Sequence, residues 1–297
     1  MVLVLALAAC GPLTPGERAA EQGLSAQNGL SPNGLSQNGL SQNGLSQNGL
    51  SQNGLSQNGL SQNGLGTDFT TWFNHDAATS DVVMRYLVRC AVPAGESRTW
   101  KDPVTNVTYT WPGALGLAPG WASGSAATTA EQQVITACLA AHVNKYGVNV
   151  SISVQGRSST GTAVPLEANE LTTYLVREAC FFGNLFRDEG VFVGLDHSPW
   201  SSKYSSARAC AFDYAYGASP DCAPIQVAGD CSALCALDAG GTYYTSCTYN
   251  GKTYKPVTTR LRSQDIYRCG DGNCQFTESC GWGYDWDSCR SDCGRCW

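Results

Sequence analysis

The sequence predicts an α+β fold: a disulfide-rich globular domain behind a flexible N-terminal tether, followed by a small cysteine-rich C-terminal module. Three observations predict it. Residues 27–65 cycle through Asn-Gly-Leu-Ser-Gln, a five-residue period that matches neither the 3.6 of a helix nor the 2 of a strand. Beyond residue 66, stretches of helical period are interleaved with stretches of period two, the pattern of α+β layering. Finally, 14 of the 15 cysteines fall into two even blocks, eight over residues 90–247 and six over residues 269–296. We divide the chain into a signal segment (1–9), an anchor and tether (10–66), a main domain (67–263) and a tail module (264–297).

Residues 1–9 are almost entirely apolar. The run is short for a signal h-region and lacks a basic flank, which points to a start further upstream. Leu7-Ala8-Ala9-Cys10-Gly11 resembles the bacterial lipobox, and the resemblance implies a lipidated Cys10. Acyl chains at ~0.8 kcal/mol per buried methylene would hold the protein on a membrane, at the outer membrane or cell surface. No run of 18 apolar residues predicts a transmembrane helix.

The repeat admits two readings. Leucines at every fifth position fit a stacked solenoid. Against that, each leucine sits beside a glycine, which exposes it and raises the entropy cost of ordering. We therefore read a tether, reaching ~35 Å r.m.s. as a coil.

In the main domain, Ser80 predicts a helix start, with Val83, Tyr86, Leu87 and Cys90 on one face. Residues 107–111 alternate as a strand and end at Pro112-Gly113. Thr128 and Glu131 form a capping box that opens the clearest helix, with Cys138 inward and Gly147 as its stop. Residues 148–154 predict a strand, 171–178 a helix and 191–195 a buried strand. Asn250-Gly251 between residues 243–249 and 252–257 is a type I′ hairpin signal, and Pro256 puts the second arm at a sheet edge.

The blocks Tyr86-Leu87-Val88-Arg89-Cys90-Ala91, Trp111-Pro112-Gly113-Ala114-Leu115-Gly116, Thr136-Ala137-Cys138-Leu139-Ala140-Ala141-His142 and Phe181-Phe182-Gly183-Asn184 resemble a group of exported myxobacterial lipoproteins. Those also carry Asn-Gly-Leu repeats ahead of the domain. The resemblance implies location and lineage and carries no activity. In an exported chain, Cys90, Cys138, Cys180, Cys210, Cys222, Cys231, Cys235 and Cys247 read as disulfides, as do Cys269, Cys274, Cys280, Cys289, Cys293 and Cys296. The rival is zinc, for which Cys293 and Cys296 have ligand spacing.

Only 14% of residues are charged and the net charge is -6, which argues against a nucleic-acid partner. Of the three histidines, His142 and the Asp196-His197 pair are the candidates for catalysis. No Gly-x-Ser-x-Gly, His-Glu-x-x-His or Ser-x-x-Lys accompanies them. In the tail, Cys269-Gly270-Asp271-Gly272-Asn273-Cys274 and Asp292-Cys293-Gly294 resemble a small cysteine-rich repeat of secreted proteins, with a longer link between Cys280 and Cys289. Asp271, Asn273, Glu278 and Asp292 are oxygen donors of the kind calcium takes, or else turn-formers. Trp282, Tyr284 and Trp286 alternate, so an extended strand would show them on one face, either to a sugar ring or to the disulfides.

The layout favours non-enzymatic binding of extracellular polysaccharide or protein, with no cofactor required and calcium as the one candidate ion. The alternative is a secreted hydrolase using a histidine–carboxylate pair. A structural surface-layer component is a third reading.

Overall fold

A computed structural model of the chain describes residues 25–28, 59–60, 65–143, 150–196, 225–266, 269–275, 278, 280–281 and 288–296. Its elements in order are β1 (Ser25–Asn28), α1 (Thr67–His75), α2 (Ala77–Ala91), β2 (Ser97–Lys101), β3 (Thr108–Pro112), α3 (Pro119–Ala122), α4 (Thr129–Ala141), β4 (Val150–Gly156), α5 (Glu170–Thr173), β5 (Val176–Gly183), β6 (Val191–Leu195), β7 (Ile225–Asp230), α6 (Cys231–Leu234), β8 (Cys235–Leu237), β9 (Tyr244–Tyr249), β10 (Lys252–Tyr254), β11 (Val257–Leu261) and α7 (Arg290–Cys293). Mixed helix and sheet is what the interleaved periods predict.

A six-stranded sheet, ordered β1-β4-β11-β5-β6-β7, is the middle layer. Its pairs are antiparallel except β6 with β7. Alternation along β5 shows how the sheet is used. Ala179 and Phe181 join the large core with α2 and α4, whereas Cys180 and Phe182 face a smaller cluster with Tyr244, Cys247 and Tyr254. Helices therefore cover one face, and the small sheet β10-β9-β8 covers the other.

Local chemistry sets the boundaries. The capping box forms as predicted: Thr128 accepts the N–H of Glu131, and Glu131 accepts the N–H of Thr128. The helix ends at Ala141, well short of Gly147, which lies outside the described residues. The preceding long helix starts earlier than Ser80 predicts, because the Asp76 carboxylate accepts the N–H of Thr79 and caps it; Ser80 is buried inside the helix. The stretch 171–178 is corrected too. Only a short turn of helix forms, and Val176 onward is strand, because β11 and β6 flank it on both sides. Residues 191–195 are a fully buried strand as expected. The hairpin forms on Asn250 (φ 50°) and Gly251 (φ 74°), both left-handed as a type I′ turn requires. Pro256 ends the hairpin, leaving β10 an edge strand, and the chain then crosses into the large sheet as β11.

Six disulfides join described residues: Cys90–Cys138, Cys180–Cys231, Cys235–Cys247, Cys269–Cys289, Cys274–Cys293 and Cys280–Cys296. The zinc reading of Cys293 and Cys296 fails, since each is consumed in a bridge. Cys210 and Cys222 lie outside the described residues. Among the described residues no helix is long and apolar enough to cross a membrane.

Candidate binding cleft and the residues that surround it

The β2–β3 ribbon carries one apolar face and one polar face. Trp100, Tyr109 and Trp111 pack with Phe69 and Phe73 of α1, with ring centroids as close as 4.7 Å. Edge-on and offset contacts of this kind add to the area they bury. The other face presents Ser97, Thr99, Lys101, Thr108 and Thr110 to solvent, with the Thr99 and Thr110 hydroxyls 3.1 Å apart. Asp102 locks the ribbon tip: it is fully buried and accepts from the N–H groups of Val104 and Thr105, the Thr105 hydroxyl and the Asn74 amide. Burial pushes its pKa up, and those hydrogen bonds more than offset it, so the carboxyl is held below its ordinary value. The tip itself shows Val104 and Val107, 70% and 47% exposed.

Between this ribbon and the start of α1 lies a cleft of about 480 Å³, lined by Leu65, Thr67, Thr70, Thr99, Trp100 and Lys101 among others. Trp100 is the aromatic residue of this lining, 6% exposed with its ring packed on Phe69 and Phe73, while Thr99 and Lys101 alternate with it along β2 and turn to the polar face. The Trp100 Nε1–H is already given to the Leu65 carbonyl at 3.2 Å.

Two leucines that by sequence belong to the repeat are part of the core. Leu60 is 1% exposed and Leu65 is 8% exposed. The Leu60 N–H donates to the Trp121 carbonyl, and its carbonyl accepts from Arg98 Nε, each at 2.9 Å. Arg98 also donates to the Ala122 carbonyl at 2.6 Å. Gly59 (φ 74°) lies so close to Gly124 that a Cβ there would stand 2.3 Å from its Cα.

The catalytic candidates are divided between the two faces of the large sheet. His142 caps α4 on the helical side, fully buried, with Nδ1 2.8 Å from the Cys138 carbonyl and its ring beside Tyr86. A carbonyl can only accept, so the proton is on Nδ1. Asp196 follows Leu195 on β6 and points to the other side. It accepts from Tyr244 Oη at 2.6 Å and from Arg177 Nε at 2.8 Å, and the Arg177 guanidinium lies over the Tyr244 ring. Burial, then the bond to Asp196, raises the Tyr244 pKa. Arg177 and Tyr244 were not foreseen from the sequence; neither sits in a motif. His197 lies outside the described residues, as do Cys10, Trp282, Tyr284 and Trp286.

In the tail, three of the four oxygen-donor residues, Asp271, Glu278 and Asp292, accept N–H groups through their carboxylates, and Asn273 enters through its main-chain N–H. Asp292 accepts from the N–H groups of Gly270, Asp271 and Gly272. Burial raises its pKa, and those donors outweigh it and lower it overall. Asp271 accepts from the Asn273 N–H and the Gln275 amide, and Glu278 from the Gln275 N–H. These contacts match the turn-forming alternative: the carboxylate oxygens face amide donors within the module.

Comparison with known proteins adds one match. No curated protein and no solved structure is similar to the chain. Residues 29–56 match the GLTT repeat, in six copies.

Proposed function

We propose that the protein is a surface-displayed lipoprotein that binds extracellular polysaccharide without chemical conversion. The observation that carries this reading is the cleft beside the β2–β3 ribbon. Its threonines and its lysine supply short polar groups of the kind that hydrogen-bond sugar hydroxyls, set beside the largely covered Trp100. The exposed Val104 and Val107 at the ribbon tip extend the contact surface. The alternative, a secreted hydrolase, rests on His142 or on the Asp196–His197 pair, and the Asp196 carboxylate is already engaged by Arg177 and Tyr244.

Display follows from the lipobox-like Cys10 and the repeat between it and the domain. The resemblance to exported myxobacterial lipoproteins and of the tail to a secreted cysteine-rich repeat supports export, and the disulfides fit an oxidising compartment. A second contact on the tail, through Trp282, Tyr284 and Trp286, is an extension of the same proposal.

Co-sedimentation with insoluble polysaccharides and cell-wall material tests it. The full chain should be retained, and Thr70→Val with Lys101→Ala should reduce retention at least about tenfold, the loss of a few polar contacts. Retention lost only in Trp282→Ala with Trp286→Ala would move the site to the tail. No retention of any form would discard the polysaccharide reading.

A further inference from the structure

The seat around Leu60 is built for a short main-chain motif. Both main-chain polar groups of Leu60 are taken, by the Trp121 carbonyl and by Arg98. Its side chain is 1% exposed. Gly59 has a positive φ, and a Cβ there would collide with Gly124, so the residue before the leucine has to be glycine. The seat thus reads Gly-Leu and nothing longer is needed to fill it. Gly59-Leu60 belongs to one of eight Asn-Gly-Leu units that recur between Asn28 and Leu65.

We infer that the seat accepts any Asn-Gly-Leu unit of the repeat, including one supplied by a second copy of the chain, so that displayed molecules link to one another repeat-to-seat. The inference is independent of what the cleft binds. The occupant is specified by the seated unit itself: a chemically identical segment fits wherever that one fits. Within one molecule the tethered unit has the advantage of effective concentration, so linkage between molecules is favoured by crowding on a surface.

The test uses the full chain and two variants. Leu60→Ser vacates the seated unit and leaves the other repeat leucines in place. A second variant replaces all seven repeat leucines up to Leu60 with serine. Leu60→Ser should melt within about 2 °C of the wild type, because a neighbouring unit takes the seat, whereas the sevenfold variant should melt lower by about 4 °C or more. A peptide of three Ser-Gln-Asn-Gly-Leu units should restore the sevenfold variant, and the same peptide with alanine for each glycine should not. The immobilised sevenfold variant should also retain wild-type chain and release it to the glycine peptide. The inference is overturned if Leu60→Ser melts as low as the sevenfold variant, if the sevenfold variant melts with the wild type, or if the two peptides act alike. Failure to capture the wild-type chain overturns the linkage between copies. Should the sevenfold variant not fold, Leu60→Ser decides alone: a melting point near the wild type supports exchange of units, and a loss of about 4 °C or more sinks it.

Discussion

The Glu131 carboxylate accepts the main-chain N–H of Trp121 at 2.9 Å, while its other oxygen accepts the N–H and the hydroxyl of Thr128. One buried side chain thereby closes the first turn of α4 and holds Trp121, the residue whose carbonyl accepts the Leu60 N–H. Glu131→Ala is expected to destabilise the domain by about 2–3 kcal/mol, from the lost cap and an orphaned buried N–H. Thr128→Ala should cost about 1 kcal/mol. Urea denaturation of each variant checks the order, and equal costs would contradict the double role.

Breaking Cys90–Cys138 by a double alanine substitution opens a link across 48 residues. The expected loss is about 2–4 kcal/mol, read by denaturation under oxidising conditions. His142→Ala should also destabilise, by about 2 kcal/mol or more, since it removes a buried ring and its bond to the Cys138 carbonyl. Polysaccharide retention should survive both changes; hydrolysis of a glycan or peptide by the wild type, lost in a stable His142→Ala protein, would favour the hydrolase reading.

The tyrosine on β9 predicts behaviour in alkali. Its folded pKa is raised, so above about pH 10 the unfolded chain ionises first and binds fewer protons than the folded one. Stability is therefore fully present below about pH 10 and declines as pH rises beyond it. Denaturation series at pH 9 to 11 should show a steeper decline for the wild type than for Tyr244→Phe.

Acid should act through Asp102 with the opposite sign. Its folded pKa is lowered, so its contribution is present above about pH 4 and disappears as pH falls through the folded value. Asp102→Asn should be less stable at neutral pH and show a flatter decline in acid.

For the tail, melting with and without calcium separates the two roles of its carboxylates. Because Asp292 and Asp271 already accept N–H donors, chelation should leave the melting point unchanged, whereas reduction of the three bridges should unfold the module. A calcium-dependent rise of several degrees would instead place the ion there.

What was legible in the sequence was the chemistry that acts within a few residues. Thr128 and Glu131 announced their helix, Asn250-Gly251 its turn, and residues 191–195 their burial. What was not legible depended on partners distant in sequence. Leu171, Tyr174 and Glu178 have helical spacing, yet β11 claims the chain from Val176 and β6 claims its other side from Ala179. Asp196 was visible as a carboxylate at a strand end, but its engagement by Arg177 and Tyr244 comes from strands 19 and 48 residues away. Leu60 and Leu65 were hardest of all: each closes a copy of the same pentapeptide, and their burial comes from partners in the domain, not from the repeat.

That sameness has a bearing on copy number. The array is built from near-copies of one pentapeptide, so a change in copy number shifts its register by whole units of five residues. The glycine and leucine seated at Gly59 and Leu60 lie a fixed step before Leu65, at the end of the array nearest the domain. Wherever a copy is added or deleted upstream, a Gly-Leu pair still falls at that step, so the number of units ahead of the domain can change while the buried pair is kept.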